Sequence, residues 1–287
     1  MSWPADNSYL QVKRWFEEQV ASRYDEREAQ NIARIVLEHN ANLSRALLIT
    51  TDYKFSESQL NTLASVALEL GKGKPLQQIT GRASFLDIEL EVDENVLIPR
   101  PETEELVMLA AEHIPKGGVV LDIGTGTGAI ALALKSKRPD LSVEGCDVST
   151  KALSLAKKNK EVLDLDVLLF EKDILTDELD KTYDAIISNP PYIPNADKST
   201  METGVLDFEP PLALFVEDDA PLLFYNRIIT LASNHLTTSG SLFFECHRDF
   251  AQDVASACKT FFLEVELIQD LQSNDRMVMA KVLKSDA

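Results

Sequence analysis

Cysteine and histidine are scarce in this sequence, and neither recurs at a spacing that suggests a metal site or a disulfide framework. The 287 residues contain three cysteines and four histidines. Zinc sites and secreted disulfide scaffolds need these residues in closely spaced sets, so we assign no metal. Cys146 and Cys246 each follow an apolar, strand-like run and are expected to be buried, reduced thiols.

Basic residues and long apolar runs are also few. The 28 lysines and arginines stand against 47 acidic residues, which gives a net charge of −19 and a pI near 4.6. An acidic surface repels phosphate backbones, so we expect no direct nucleic-acid partner, although a local basic patch is compatible with this composition. No run is long enough to span a bilayer, and no charged-then-apolar leader follows Met1. We therefore expect a cytoplasmic protein without a membrane partner. We also expect a monomer, although the residues themselves do not reveal the oligomeric state.

The N-terminal part, residues 1–82, has the periodicity of several short amphipathic helices. The first helix has one apolar face at a 3.6-residue period, formed by Tyr9, Val12, Phe16 and Val20. Asp25 is placed to cap a second helix, a short third helix is predicted over 43–49, and a fourth begins at Ser56 or Ser58. No catalytic constellation occurs here. A helical module of this size is more typical of docking than of catalysis.

A change to strand periodicity marks a linker over residues 83–100. Apolar and charged residues alternate over 85–92, a turn follows at 93–95, and an apolar return at 96–98 predicts a β-hairpin. Arg100 then lies between two prolines in an extended segment, and acidic residues open a helix over 102–111. Arg100, Thr103 or that first turn could contact a ligand, and the residues alone do not choose among them.

A glycine-rich loop lies between a strand and a helix at the start of the 101–287 domain. A short apolar strand over 118–123 meets Gly124–Gly128, and a helix follows over 129–134, which is the arrangement of nucleotide-binding folds. The dinucleotide pattern Gly-x-Gly-x-x-Gly is not met, because Ala129 occupies its last glycine position. Asp122, just before the loop, disfavours a pyrophosphate and suits a cationic ligand.

Acidic side chains end the next two predicted strands. Asp147 follows a strand over 141–146, about twenty residues past the loop, where it could accept both hydroxyls of a ribose. After a predicted helix over 149–163, Asp173 and Ile174 follow a strand over 167–170, where they could bind the amine and cover the ring of an adenine. The alternative interpretation is that these are solvated strand-end acids and a core isoleucine.

Two prolines end the fourth predicted strand, over 183–188, and divert the chain. Asn189–Pro190–Pro191–Tyr192 presents one amide side chain, carbonyls free of ladder hydrogen bonds and a flat ring. Such a corner could hold a planar group that carries an NH2. The alternative is a strand-ending turn with a packing tyrosine.

The candidate ligand residues all follow strands of one predicted α/β sheet. Ligands in open α/β sheets bind outside the carboxyl ends of the strands. A nucleoside with a positive centre and no phosphate fits the glycine loop, Asp122, Asp147 and Asp173. This description favours S-adenosylmethionine, whose methyl group would lie beside an NH2 held at Asn189.

The motifs resemble those of known methyltransferases. Asp122–Gly128 with Asp147 is similar to the class I S-adenosylmethionine-dependent methyltransferases, and Asn189–Tyr192 resembles the motif of enzymes that methylate amino groups of adenine, guanine or glutamine amides. The order and spacing of further stretches resemble the peptide chain release factor glutamine N5-methyltransferases. Those stretches are Leu97–Glu104, Gly124–Ala131, Ser188–Ile193, Phe208–Pro210 and Ala213–Phe215.

The resemblance implies a fold and a site. The fold is a Rossmann-like α/β sheet of seven strands, mostly parallel with the last antiparallel, preceded by the helical domain and the hairpin linker. The implied catalytic residues are Asn189, Pro190 and Tyr192. The expected cofactor-binding residues are Gly124, Thr125, Gly126, Thr127, Gly128, Asp147, Asp173, Ile174 and Asn189. The expected substrate-binding residues are Arg100, Asn189, Pro190, Pro191 and Tyr192.

The implied substrate is the glutamine of the Gly-Gly-Gln loop in class 1 release factors, with the helical domain as the docking element. The chain departs from the family at two points: Ile174 stands where a large aromatic residue is frequent, and Glu245–Cys246–His247 replaces a strand end that carries glycine. Two alternatives stay open. One is a nucleic-acid amino methyltransferase acting on a flipped base, and the other is a non-catalytic docking module with a degenerate cofactor site.

Overall fold

The computed structural model describes residues 3–200 and 203–283, which divide into two compact units. A helical unit contains 3–82 and 203–208, and a second unit contains 83–200 and 209–283. The division at 82/83 coincides with a boundary of the predicted domains, whereas 203–208 group with the helical unit. The predicted domains also include 1–2, 201–202 and 284–287, which lie outside the described residues.

The helical unit begins with five helices. They are α1 (Tyr9–Val20), α2 (Glu26–Ala41), α3 (Arg45–Thr50), α4 (Glu57–Gly71) and α5 (Leu76–Thr80). Asp25 caps α2 by accepting a hydrogen bond from the backbone N–H of Glu28. Ser56 and Gln59 form a reciprocal capping box at α4, so Ser56 is the N-cap. The predicted apolar face of α1 is buried, and Trp15 on it stacks with Trp3 at 6.1 Å between ring centroids.

The hairpin differs from its prediction. Its strands are β1 (Arg82–Phe85) and β2 (Ile88–Glu91), joined at Leu86, which has a φ of 48°. The predicted single strand over 85–92 and the return strand over 96–98 are therefore wrong. The apolar alternation continues through both arms and does not reveal the turn. Glu104 stabilises the turn by accepting a hydrogen bond from the Leu86 N–H at 2.9 Å, a partner 18 residues away.

The next elements follow their predictions closely. The chain forms α6 (Pro101–His113), β3 (Val119–Ile123), α7 (Ala129–Lys137), β4 (Ser142–Asp147), α8 (Thr150–Leu163), β5 (Val167–Glu171) and β6 (Tyr183–Ser188). Each parallel strand is short and apolar and is followed by a loop at the same edge of the sheet.

The remaining elements complete the sheet. They are β7 (Ile193–Pro194), a 3-10 turn (Asn195–Thr200), α9 (Thr203–Phe208), α10 (Pro211–Leu214), β8 (Phe215–Val216), α11 (Leu223–His235), β9 (Leu236–Glu245), α12 (Ala251–Cys258), β10 (Phe262–Gln269) and β11 (Asp275–Leu283). The main sheet has the order β10-β11-β9-β6-β3-β4-β5, and β11 is antiparallel to both of its neighbours. This confirms the predicted seven-stranded, mostly parallel α/β sheet.

Apolar cores cover both faces of the sheet. One contains residues of α6, α7 and α8, and the other contains residues of α11 and α12. Because alternate residues of a strand point to opposite faces, Val120 packs in the first core and Leu121 in the second. Among the described helices, none has both the length and the apolar character needed to cross a bilayer.

The strand register aligns the ends of four neighbouring strands in one row. Ile123 pairs with Cys146 and with Ser188, and Ser188 pairs with Phe244. The residue after each of these four therefore lies at the carboxyl edge of its strand. Those residues are Gly124, Asp147, Asn189 and Glu245.

Asn159 on α8 joins three segments and gives a first prediction. Its side chain is 1% exposed, accepts from the Glu91 N–H at 2.8 Å, and donates to the carbonyls of Glu91 and Thr127 at 3.0 Å each. Asn159→Ala leaves these buried groups without partners. We expect it to lower the free energy of unfolding by about 2–4 kcal/mol.

Urea unfolding followed by far-ultraviolet circular dichroism measures this effect. The control is Asn234→Ala, which removes an exposed side chain of α11 and should change stability by less than about 0.5 kcal/mol. Equal stabilities of the two variants would contradict the anchoring role of Asn159.

Candidate functional site

A cleft opens at the carboxyl edge of the sheet, within the second unit. Its wall contains eight of the residues predicted from the sequence: Gly124, Gly126, Asp147, Asp173, Ile174, Asn189, Pro190 and Pro191. Five other predicted residues lie outside the cleft wall: Arg100, Thr125, Thr127, Gly128 and Tyr192. The structure therefore brings together the polar ends of β3, β4, β5 and β6, as the α/β arrangement requires.

The glycines of the loop have different roles. Gly124, Gly126 and Gly128 have φ values of 75°, 55° and 84°, which glycine adopts readily. An added Cβ would meet nothing within 4 Å at Gly124 or Gly126, so the backbone there borders open space. At Gly128 it would lie 2.9 Å from Leu132 Cδ1. Gly128 is therefore required for close packing at the start of α7, whereas Gly124 and Gly126 leave space for a ligand in the cleft.

Asp122 lies buried beneath the loop with one oxygen unused. Its Oδ2 accepts from Thr125 Oγ1 at 2.6 Å, and the backbone N–H of Ala131 also favours the ionised carboxylate, but Oδ1 makes no hydrogen bond of good geometry among the residues that the structure describes. The side chain is 1% exposed, and this burial raises its pKa to about 7. An unpaired buried carboxylate oxygen is costly unless a cationic or hydrogen-donating ligand approaches it.

Asp147 and Asp173 are held with defined orientations. The Asp147 carboxylate accepts from the backbone N–H groups of Gly126 and Ser149, both at 2.9 Å, and burial raises its pKa. Asp173 Oδ1 accepts from the Leu175 N–H at 3.0 Å. Each carboxylate keeps acceptor capacity for a ligand, because an ionised carboxylate has about four lone-pair sites. These acceptors fit the hydroxyls of a ribose diol at Asp147 and an exocyclic amine at Asp173.

The apolar wall of the cleft was missed by the sequence analysis, apart from Ile174. Val148, Phe224 and Ile228 line it, and Ile174 is 8% exposed. Phe224 and Ile228 lie on one face of α11 at helical spacing. In a sequence this pattern cannot be distinguished from an ordinary core face. The wall suits the ring of a nucleoside.

The Asn189 corner is fixed from two sides. Ser188 Oγ donates to the Ile123 carbonyl at 2.7 Å and pins the end of β6. Asn189 Nδ2 donates to Thr103 Oγ1 at 3.2 Å, and Thr103 Oγ1 donates to Glu245 Oε2 at 2.6 Å. The amide nitrogen of Asn189 is therefore engaged by Thr103, which leaves its Oδ1 on the other branch of the amide.

Tyr192 packs behind this corner. Its ring centroid lies 5.8 Å from that of His247, and its hydroxyl lies 3.5 Å from Glu245 Oε1. Burial raises the pKa of the Tyr192 phenol and lowers that of His247, so both are uncharged near neutral pH. Glu245 is 1% exposed, and its burial raises its pKa to about 7.

Thr103 and Glu245 were missed as a pair, although one signal was available. Glu245 ends an apolar strand run, Leu242–Phe244, just as Asp147 and Asn189 end theirs. The same strand-end pattern thus marks all three. Thr103 is identified from the sequence only as a possible ligand contact. Its pairing with Glu245 leaves no local pattern, because the two residues are 142 positions apart.

Arg100 forms a pair that the sequence did not predict. Its Nη2 lies 2.5 Å from Glu209 Oε1, and Glu209, 3% exposed, also accepts from the Ile98 N–H at 3.1 Å. The pair fixes the extended segment before α6. The substrate-binding role of Arg100 stays a prediction.

Within 3–200 and 203–283, no group of three or more His, Cys, Asp and Glu side chains is arranged to hold a metal ion. The polar side chains of the cleft wall are two carboxylates (Asp147 and Asp173), two carboxamides (Asn95 and Asn189), two hydroxyls (Ser149 and Ser188) and the ammonium of Lys172. Their chemistry is that of hydrogen bonding and of attraction for a cationic organic ligand.

Comparisons with known proteins identify related chains. A family model for the methyltransferase small domain matches residues 104–206, and a model for the PrmC N-terminal domain matches 11–81. A release factor glutamine methyltransferase of Flavobacterium psychrophilum is 40% identical over 92% of this chain and 95% of its own length. One of Bacteroides thetaiotaomicron is 40% identical over 80% and 84%.

A solved structure agrees in fold. The crystal structure of a methyltransferase from Pyrococcus furiosus superposes with a TM-score of 0.51 and 16% identity, over 79% of this chain and 98% of that one. At this identity the likeness concerns the fold alone.

The sheet order, the open glycine backbone and the carboxylates at the strand ends define a Rossmann-like, S-adenosylmethionine-dependent methyltransferase. The relatives extend over both the helical unit and the sheet. The chain belongs to the release factor glutamine methyltransferase family.

Asp122 gives a prediction with a defined pH dependence. A carboxyl whose pKa is raised on folding stabilises the fold while protonated, and this contribution is lost as the pH rises through about 7. Asp122→Asn removes that loss. We expect the free energy of unfolding of the variant, relative to wild type, to increase by about 1 kcal/mol between pH 6 and pH 8.

At pH 8, where the wild-type carboxyl is mostly ionised, the same variant should bind S-adenosylmethionine about tenfold more weakly by calorimetry, because the negative charge beneath the loop is gone. Asp166→Asn, on the exposed surface, is the matched control and should change neither quantity. A stability difference that does not vary with pH would contradict the assignment of the titration to Asp122.

Proposed function

We propose that this protein transfers a methyl group from S-adenosylmethionine to the side-chain amide nitrogen of the glutamine in the Gly-Gly-Gln motif of peptide chain release factors. The observation that carries the proposal is the Asn189 corner. It borders the cleft through Asn189, Pro190 and Pro191, and its amide is oriented by Thr103. Family membership supports a glutamine amide as the group held there.

The corner matches the chemistry of an amide substrate. An amide nitrogen is a poor nucleophile, because its lone pair is delocalised into the carbonyl. The Asn189 Oδ1 and the Pro190 carbonyl accept its two hydrogens, which aims the nitrogen and favours localisation of the lone pair. Tyr192 restricts rotation of the amide. Orientation of this kind supplies several kcal/mol of the barrier reduction, and preorganised acceptors supply more.

The residues of the cleft divide between the two ligands. S-adenosylmethionine, when bound, supplies an electrophilic methyl group on a sulfonium centre. The backbone at Gly124 and Gly126, with Asp122 beneath, faces its cationic end, and Asp147 accepts from its ribose. Asp173 and Ile174 hold the adenine. Thr125, Thr127 and Gly128 shape the loop.

No general base is assigned to the reaction. The nitrogen becomes more acidic once it is methylated, so its proton leaves to solvent after the transfer. Asp122 and Glu245, whose pKa values are raised to about 7, are enclosed beneath the loop and behind Thr103, respectively. Their hydrogen bonds point to orientation of other groups.

The proposal extends to partners and place of action. The helical unit serves to dock the release factor, and the protein acts as a monomer in the cytoplasm, where translation ends. No nucleic-acid partner is needed, because the protein loop itself delivers the glutamine.

Asn189→Ala tests the role of the corner. We expect turnover to fall by at least tens of fold, since the variant loses the acceptor that aims the amide, while affinity for S-adenosylmethionine changes by less than about twofold. Steady-state kinetics and calorimetry measure the two quantities. Asn234→Ala should behave as wild type, and an unchanged turnover of Asn189→Ala would refute the amide-holding role.

The substrate itself is tested with radiolabelled S-adenosylmethionine. Wild-type protein is offered a release factor, the same factor with its Gly-Gly-Gln glutamine replaced by alanine, a DNA duplex, or RNA. Label should enter only the unaltered release factor. Label in nucleic acid alone would favour an amino methyltransferase acting on bases, and an absence of label in every acceptor would favour a docking module.

A further inference from the structure

We propose that Thr103 and Glu245 are positioning residues that keep the carboxamide of Asn189 turned so that its oxygen faces the substrate. This inference rests on the proposed function, because it assigns a task to two residues that do not touch the substrate. Its basis is the chain of hydrogen bonds from Asn189 Nδ2 to Thr103 Oγ1 at 3.2 Å, and from Thr103 Oγ1 to Glu245 Oε2 at 2.6 Å.

The direction of this chain follows from donor and acceptor chemistry. An ionised carboxylate only accepts hydrogen bonds, so Glu245 requires the single proton of the Thr103 hydroxyl. The hydroxyl oxygen can then only accept from its other neighbour. Of the two ends of a carboxamide, only the NH2 end donates. Asn189 must therefore turn its nitrogen to Thr103 and its oxygen away.

This orientation is the one that the substrate amide needs. The proposed reaction requires an acceptor at Asn189 for a hydrogen of the glutamine NH2. A flipped carboxamide would present NH2 to NH2, where no hydrogen bond can form. We call the hydrogen-bond chain Asn189–Thr103–Glu245 the relay. Without it, the two orientations of the asparagine carboxamide differ little in energy, because the terminal torsion of the side chain is broad and roughly two-fold.

Three separate elements meet to form the relay. Thr103 lies in the first turn of α6, Asn189 follows β6, and Glu245 ends β9, which neighbours β6 in the sheet. Thr103 is 5% exposed and Glu245 is 1% exposed. A buried carboxyl lowers stability compared with a well-packed apolar side chain. Its presence is explained by a task that an apolar residue cannot perform.

The surroundings of Glu245 make the relay sensitive to pH. Glu102 from α6, Arg276 from β11 and Tyr192 from the loop after β6 face the carboxyl, and Tyr225 from α11 donates to its backbone carbonyl at 3.0 Å. Burial outweighs the attraction of Arg276 and raises the pKa to about 7. When protonated, Glu245 can donate to Thr103, and the hydroxyl proton is free to point at Asn189. The orientation of Asn189 is then no longer enforced.

The test compares Thr103→Val, Thr103→Ser and Glu245→Gln with wild type, using a release factor as acceptor. Thr103→Val should lower kcat by about tenfold or more, with KM for both substrates within about twofold, since the relay touches neither ligand. Thr103→Ser, which keeps a hydroxyl, should stay within about threefold of wild type.

The pH profile separates positioning from packing. S-adenosylmethionine is kept saturating at each pH, so that titration of Asp122 does not limit the rate. Below about pH 7 the wild-type kcat should fall with the fraction of ionised Glu245, whereas Thr103→Val and Glu245→Gln should have reduced kcat values without this acid limb. A merely structural role would lower kcat equally at every pH and leave the limb in place, which would overturn the inference. Thr230→Val, an exposed threonine on α11, is the matched control and should retain wild-type kcat and the acid limb.

The outcomes also distinguish the two proposals. If wild type methylates the release factor while Thr103→Val and Glu245→Gln retain full kcat with the acid limb, the positioning role fails and the proposed function stands. If wild type leaves every release factor unlabelled, the proposed function fails, and the positioning role fails with it. Circular dichroism verifies folding, and if Thr103→Val does not fold, the profile of Glu245→Gln decides.

Discussion

The parallel register of the central strands is the constraint on which the site depends. Backbone hydrogen bonds align Ile123, Cys146, Ser188 and Phe244 across four neighbouring strands. The next residue of each strand is released at the same edge, where the ladder ends and polar groups need other partners. A glycine backbone, two carboxylates and a carboxamide thus reach one row without any long excursion of the chain. The strand that ends at each position therefore determines which polar group is present there.

The site is costly to the fold that holds it. Asp122 and Glu245 are both buried, and both have pKa values raised to about 7. Removing such carboxyls from water opposes folding. The apolar cores on both faces of the sheet offset this cost. In each case a threonine hydroxyl donates to the acid, from Thr125 to Asp122 and from Thr103 to Glu245. Both threonines thus satisfy one oxygen of a buried carboxyl, Thr125 beneath the glycine loop and Thr103 behind the Asn189 corner.

The pattern of apolar residues, glycines and prolines along the sequence predicted most of the individual helices, strands and strand ends. The elements from α6 to β6 were predicted because short apolar runs alternate with helical ones, and the glycine loop and the two prolines mark strand ends. The sheet beyond β6 was predicted through resemblance alone. The turn at Leu86, the Arg100–Glu209 pair and the Thr103–Glu245 bond were missed for a common reason. Each joins residues 18 to 142 positions apart, and even where one partner is marked in the sequence, as Glu245 is by its strand end, no local pattern identifies the other.

The shared row also limits how this enzyme can change its length. Side chains of a strand alternate between faces, so inserting or deleting one residue within β6 or β9 sends Asn189 or Glu245 to the opposite face of the sheet. A change of two residues restores the face but moves the side chain about 7 Å along the strand, away from its partner. A change of length within β6 or β9 is therefore expected to disrupt the site, whereas a change in a loop at the opposite edge of the sheet leaves the row in register.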